Sequence, residues 1–225
     1  MKYDEIISEI KSLANPESVK GMAKFGINPD NTYGVSIPEL RKIAKNSGKN
    51  HALALKLWAS GIHEARILAS IIDDSKMVTE EQMKSWVIDF DSWDVCDQCC
   101  LNLFNKTAFA HKKVIEWSKR DEEFVKRAAF ALIAILAVHD KKLDDKELEK
   151  FLSLIKQEAK DERNYVKKAV NWALRQIGKR NANLNKAAIN AAKEIQKYES
   201  KAAKWIACDA LRELTGNTVN KKLKL

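Results

Sequence analysis

Residues 123–130 read EFVKRAAF, and the pattern they set returns along the chain. HEARILA (63–69), YVKKAVNW (165–172) and KAAKWIAC (201–208) also place a basic residue just before an apolar run. Aligned on Arg66, Arg127, Lys168 and Lys204, they admit a fifth member, DVCDQCC (94–100), with Asp97 at the basic position. Successive aligned positions are 31, 30, 41 and 36 residues apart. Each stretch lies where apolar residues recur at i, i+3, i+4 and i+7, the period of an amphipathic helix.

A shorter helical segment precedes each of them. HALALKLWASGIHEARILASII breaks at Gly61, and EQMKSWVIDF meets SWDVCDQCCLNLF near Asp89–Asp91. HKKVIEWS precedes DEEFVKRAAFALIAILAV. DKELEKFLSLIKQEAK pairs with NYVKKAVNWALRQIGKR, and NKAAINAAKEIQKY with KAAKWIACDALREL. No alternating run has the length of a strand, and 7 Gly and 3 Pro against 45% hydrophobic residues argue against an all-β chain. A helical hairpin recurring every 30–47 residues or so is the signature of an α-solenoid of the HEAT type. The expectation is an all-α fold over residues 1–225: one domain, a single right-handed α-solenoid of HEAT-like antiparallel helix pairs. The second helices would line a concave basic groove, with the aligned positions forming a row across it.

Composition excludes several classes. No stretch reaches the ~18 apolar residues of a membrane span. The opening MKYDEIISEI reads as an acidic amphipathic helix and not a signal peptide, so a soluble cytoplasmic protein is expected. Cys96, Cys99 and Cys100 crowd into about a turn and a half of helix, and Cys208 stands apart. That suits reduced core thiols and not a disulfide framework. No Cys or His pairing completes a zinc site, so no metal and no cofactor is expected. Residues 24–45, KFGINPDNTYGVSIPELRKIAK, form the stretch richest in Gly and Pro. Gly26, Pro29 and Gly34 mark turns, and Ser36 with Pro38 opens a helix. The stretch lacks a phosphate-loop pattern, and no Ser-His-Asp or HExxH arrangement occurs in the chain.

Charge is unevenly spread. Residues 1–110 carry 13 Lys+Arg and 15 Asp+Glu, net −2, whereas residues 111–225 carry 27 and 16, net +11. A basic half suits a polyanion such as nucleic acid, and equally a lysine-rich surface kept for solubility.

Asp97 is the odd member of the row. Asp91 is a plausible N-cap for its helix, with Asp94 facing the free N–H groups of the first turn. Inside that helix an acid is a poor helix former and costly to bury unpaired. Trp93, Asp97 and Phe104 fall on one stripe, and Cys96, Cys99 and Leu103 on a face about 100° away that packs against the next layer. Asp97 then points along the row toward Arg127 and Lys168, with Trp93 and Trp172 on either side. A plain inter-repeat ion pair between Asp97 and Arg127 is the competing account. Trp58, Trp86, Trp117 and Trp205 read as core. Lys126, Arg127, Lys167 and Lys168 sit at helix starts against the macrodipole, a cost that phosphate contact would offset.

The order and spacing of MAKFGI, GVSIPELRKIAK, SWDVCD, FVKRAAFAL and AVNWALRQIGKRN resemble the AlkD-type family of DNA alkylation repair glycosylases over nearly the whole chain. The resemblance implies a HEAT-like solenoid and an active centre of Trp93, Asp97, Arg127 and Trp172. It also implies excision of cationic N3- or N7-alkylated purines from double-stranded DNA. Lys126, Lys167, Lys168, Arg175 and Lys204 would contact phosphates, and a solenoid of this size can act as a monomer. Members of the wider superfamily that bind DNA without excising a base give the alternative.

Overall fold

The computed structural model describes residues 1–224. Among them the chain is helical throughout, with no strand. It divides into two compact units, Met1–Ala110 and the residues from His111 on.

The first unit holds α1 (Tyr3–Ser12), α2 (Pro16–Lys24), α3 (Ile37–Ser47), α4 (His51–Ala59), α5 (His63–Ile72), α6 (Glu80–Ile88) and α7 (Trp93–Asn102). The expected break is present: α4 stops at Ala59, Gly61 takes φ 69°, and α5 opens at His63. Ser36 caps α3 as read, its hydroxyl oxygen accepting from the Glu39 N–H at 3.4 Å. α5 packs against α4 and lies between α3 and α7, while α1 covers α4 and α5. The layers repeat in register. The Tyr33 N–H donates to Glu64, Trp58 Nε1 donates to Asp89 Oδ2, and His63 pairs with Asp94, each across 31 residues. That is the interval read between Arg66 and Asp97. Trp58 and Trp86 stack at 3.9 Å within the core, with Phe90 edge-on to Trp58.

The second unit is built from α8 (Ala110–Trp117, its first residue closing the first unit), α9 (Glu123–His139), α10 (Asp145–Glu158), α11 (Asn164–Gly178), α12 (Ala182–Ile195), α13 (Lys201–Leu214) and α14 (Asn217–Leu223). α11 packs between α9 and α13, and α12 packs on α10, α11 and α13. α9 is buried at every residue from Val125 to Ala137, which accounts for an apolar run too continuous for a single stripe. Gly178 lets α11 close on its neighbours: a Cβ there would lie 2.7 Å from Leu214 Cδ2 and 2.9 Å from Ala188 Cβ.

Several expectations change. The N-cap of α7 is Ser92, not Asp91. Asn28 binds both residues, its amide nitrogen donating to Asp91 Oδ2 at 3.0 Å and its backbone N–H to Ser92 Oγ at 2.9 Å. Asp94 meets the His63 ring instead of the first-turn N–H groups. α7 ends at Asn102, and Phe104–Lys106 form a 3-10 turn. Phe104 therefore leaves the Trp93–Asp97 stripe and is buried. Trp58, Trp86 and Trp117 are core as read, but Trp205 is 42% exposed. Between α11 and α13 side chains meet 38 residues apart in Asn171–Asp209 and Arg175–Glu213 and 34 apart in Lys179–Glu213, on either side of the 36 given by the alignment of Lys168 with Lys204.

Candidate functional site

In the first unit the candidate residues stand at the start of α7. Heptad geometry sends Val95, Cys96, Cys99 and Cys100 into the core. It leaves Trp93, Asp94, Asp97 and Gln98 half-buried on the other side. Asp97 is thus kept out of the apolar layers, one helical turn beyond Trp93. Burial, reinforced by Cys96 and Asp73, pushes the Cys99 thiol well above its ordinary pKa, so it is not a ready nucleophile.

The loop before α3 fixes Trp93. The indole N–H donates to the Phe25 carbonyl at 3.1 Å, and Asn28 ties the same loop to Asp91 and Ser92. Glu64, 1% exposed, anchors the far side of that loop. Its carboxylate accepts from the backbone N–H groups of Tyr33 (3.0 Å), Gly34 (2.6 Å) and Val35 (3.2 Å). Gly34 takes φ 76°, and a Cβ there would lie 2.4 Å from the Asn15 carbonyl oxygen. Glu64 and Asn28 escaped the sequence reading. Their partners lie some 30 to 64 residues away, and the signal available was a turn-rich loop in need of an anchor.

His63 and Asp94 brace the start of α7, His63 Nε2 lying 2.9 Å from Asp94 Oδ2. Burial alone would lower the ring's pKa. The hydrogen bond and charge of Asp94, with the charges of Glu64 and Asp91, outweigh it and hold the pKa above its ordinary value.

In the second unit Arg127 lies on α9, 6% exposed, and its Nη1 donates to the Tyr165 carbonyl at the start of α11 (2.8 Å). The Tyr165 ring stacks on Phe124, 5.3 Å between centroids. Trp172 is half-buried on α11, one turn beyond the exposed Lys168. Lys126 does not present a free cation to a phosphate. It is 8% exposed, and its Nζ lies 2.6 Å from Glu158 and 3.7 Å from Asp161. Burial works against the charged form of Asp161, but the Arg163 hydrogen bonds and the charge of Lys126 hold its pKa below the ordinary value. Arg175 is also engaged, 2.5 Å from Glu213 and 3.6 Å from Asp209. Lys167 is half-buried and Lys204 exposed.

Among the described residues no cluster of three or more His, Cys, Asp or Glu side chains is arranged to hold a metal ion. No helix there is long and apolar enough to cross a membrane. The arrangement offers a half-buried carboxylate one helical turn from an indole in one unit, and cations with aromatic rings in the other.

Comparisons with known proteins bear on this arrangement. An uncharacterized protein of Listeria monocytogenes is 26% identical over 200 residues, covering 87% of each chain. A Listeria innocua protein matches to the same extent. A solved structure, described as a new family of proteins related to the HEAT-like repeat DNA glycosylases with affinity for branched DNA structures, superimposes with a TM-score of 0.79. The match covers 95% of this chain and 96% of that one at 20% identity, which establishes a shared all-helical repeat fold. The family model of DNA alkylation repair enzymes matches residues 6–214. On that extent of match, the chain belongs to the DNA alkylation repair enzyme family.

Proposed function

We propose that this protein is a DNA glycosylase that removes positively charged N3- or N7-alkylated purines from duplex DNA, acting as a monomer. The observation that carries the reading is the Trp93–Asp97 pair on α7. It holds a carboxylate half-exposed, one turn from an indole, in a member of a DNA alkylation repair family. An alkylated purine with a formal positive charge is already a good leaving group. When its N-glycosidic bond breaks, the bonding pair goes to the base, which departs neutral. The sugar left behind is oxocarbenium-like, and water adds at its anomeric carbon.

Asp97 stabilises that developing positive charge and accepts the proton of the attacking water. Trp93 offers an indole face to the cationic base, an attraction of about 0.5–2 kcal/mol. In this reading Trp172 packs against a nucleotide, and Arg127 acts from α9 by holding the start of α11 through the Tyr165 carbonyl. Lys167, Lys168 and Lys204 provide the phosphate contacts. Lys126, committed to Glu158, is left out.

Excision from a duplex bearing a single 7-methylguanine, read as alkali-sensitive strand breakage, tests the proposal. Asp97→Asn should abolish release while leaving duplex affinity within about twofold, because the carboxylate acts on the sugar and not in binding. Excision by that variant at the parent rate would falsify the assignment. A second reading, a DNA-binding protein without excision, draws on the branched-DNA affinity given for the structural neighbour's family. Parent protein that binds duplex or branched DNA yet releases no alkylated base selects it.

A further inference from the structure

We propose that the outward stripe of α13, centred on Trp205, is a stacking platform for unpaired nucleotides of a DNA strand. The inference rests on the reading that this protein engages DNA, but not on the chemistry assigned to Asp97.

α13 buries Ala202, Ala203, Ile206, Ala207, Ala210 and Leu214. Its opposite side carries Lys201, Lys204, Trp205, Cys208 and Arg212, all exposed and spaced i, i+3, i+4, i+7 and i+11, so they share one stripe. That stripe is cationic at its N-terminal end, with Lys201 and Lys204, while Arg212 at its far end is paired with Asp209. Asp209 also accepts from Asn171 on α11 at 2.7 Å, and Glu213 pairs with Arg175 and Lys179. Glu162 is likewise occupied at the N-terminus of α13, accepting from the Ser200 hydroxyl and the Ala202 N–H.

Trp205 is the conspicuous member. An indole exposed to 42% costs free energy in water, as an apolar surface without a partner does. Lys167 from α11 places its Nζ 5.8 Å from the ring centroid. That contact leaves much of the ring open. The same relation recurs at the preceding turn, where Lys160 Nζ lies 4.8 Å from the Tyr198 ring centroid.

A flat ring flanked by lysines suits an unpaired nucleotide. The base has a π face for the indole whatever its identity, and the phosphates on either side meet lysines. Paired bases in a duplex are already stacked and offer no free face, so the ring distinguishes single strands from duplex. An acidic peptide would use the lysines but has no planar group to match the indole.

Fluorescence anisotropy with a labelled oligo(dT) of about a dozen nucleotides, alongside a duplex of the same length, tests the platform. The ratio of single-strand to duplex affinity should fall about tenfold in Trp205→Ala and recover in Trp205→Tyr. Trp205 lies off the core, so an unchanged melting curve for both variants verifies that the fold is intact. An unchanged ratio in Trp205→Ala overturns the proposal. So does a concentration-dependent dimer of the parent that Trp205→Ala dissolves, since the ring would then serve self-association. A parent that binds neither oligonucleotide sinks the DNA reading itself. A parent that excises alkylated base while Trp205→Ala keeps its affinity ratio sinks only this inference.

Discussion

His63 and Asp94 carry a pH dependence that can be read directly from their contact. The ring's folded pKa lies above its ordinary 6.5 because Asp94, Glu64 and Asp91 together outweigh burial. The protonated ring is therefore favoured in the folded state. Its contribution to stability is fully present below pH 6.5 and is lost as pH rises through the folded pKa. Urea unfolding of the parent against His63→Gln should show an advantage of about 2 kcal/mol at the acid end of that window, shrinking toward alkaline pH. An advantage that grows with pH would contradict the assignment. At this scale the sequence was informative where heptad position alone decides exposure: Asp97 lies outside the core and the three clustered cysteines lie within it. It was silent where a partner had to come from elsewhere. Lys126 and Arg127 look alike as a basic pair, yet one meets Glu158 and the other the Tyr165 carbonyl. Trp205 was misread because a ring on α13 could face either α11 or solvent, and local pattern does not separate the two.

Among the elements, α7 and the loop that braces it show how a short helix is held in place. The loop is fixed at one end by Asn28 and the Trp93 indole, and at the other by three backbone N–H groups converging on Glu64. Gly34 permits that convergence. Gly34→Ala would place a methyl against the Asn15 carbonyl at a φ of 76°, and should cost about 3 kcal/mol in urea unfolding. Gly21→Ala is the matched control. It sits within α2 with nothing within 4 Å of the added atom, and should gain about 0.5–1 kcal/mol. Equal effects from the two substitutions would refute the loop account. Most helices were legible from apolar periodicity, and the bend at Gly61 from a single glycine. α14 was not read, being a short polar segment. α2 was not read as a separate helix, because none of its residues is fully buried and it shows no apolar run.

Across the whole molecule, the change of charge falls where the chain divides. The near-neutral stretch read as residues 1–110 is the first compact unit, and the basic remainder is the second. If the basic unit carries the phosphate contacts, affinity should depend steeply on salt. Lys168→Gln, at an exposed site with no core role, should lower the slope of log K against log salt by about 0.9. Arg175→Gln should act mainly on stability, because that guanidinium ties α11 to Glu213 on α13. An unchanged slope for Lys168→Gln would remove it from the interface. Repeat spacing was visible in the sequence because 31 residues recur between layers of the first unit. In the second unit the pairs between α11 and α13 fall 34 and 38 residues apart, about the interval of 36 between the aligned Lys168 and Lys204.

The distribution of thiols has a practical corollary. Three of the four thiols lie inside the first unit's core, and the fourth, Cys208, faces water less than a turn from the Trp205 indole. A maleimide dye meets one accessible attachment point on the native chain. Without any engineered cysteine, a fluorophore can be seated beside the ring to report when a strand settles over it.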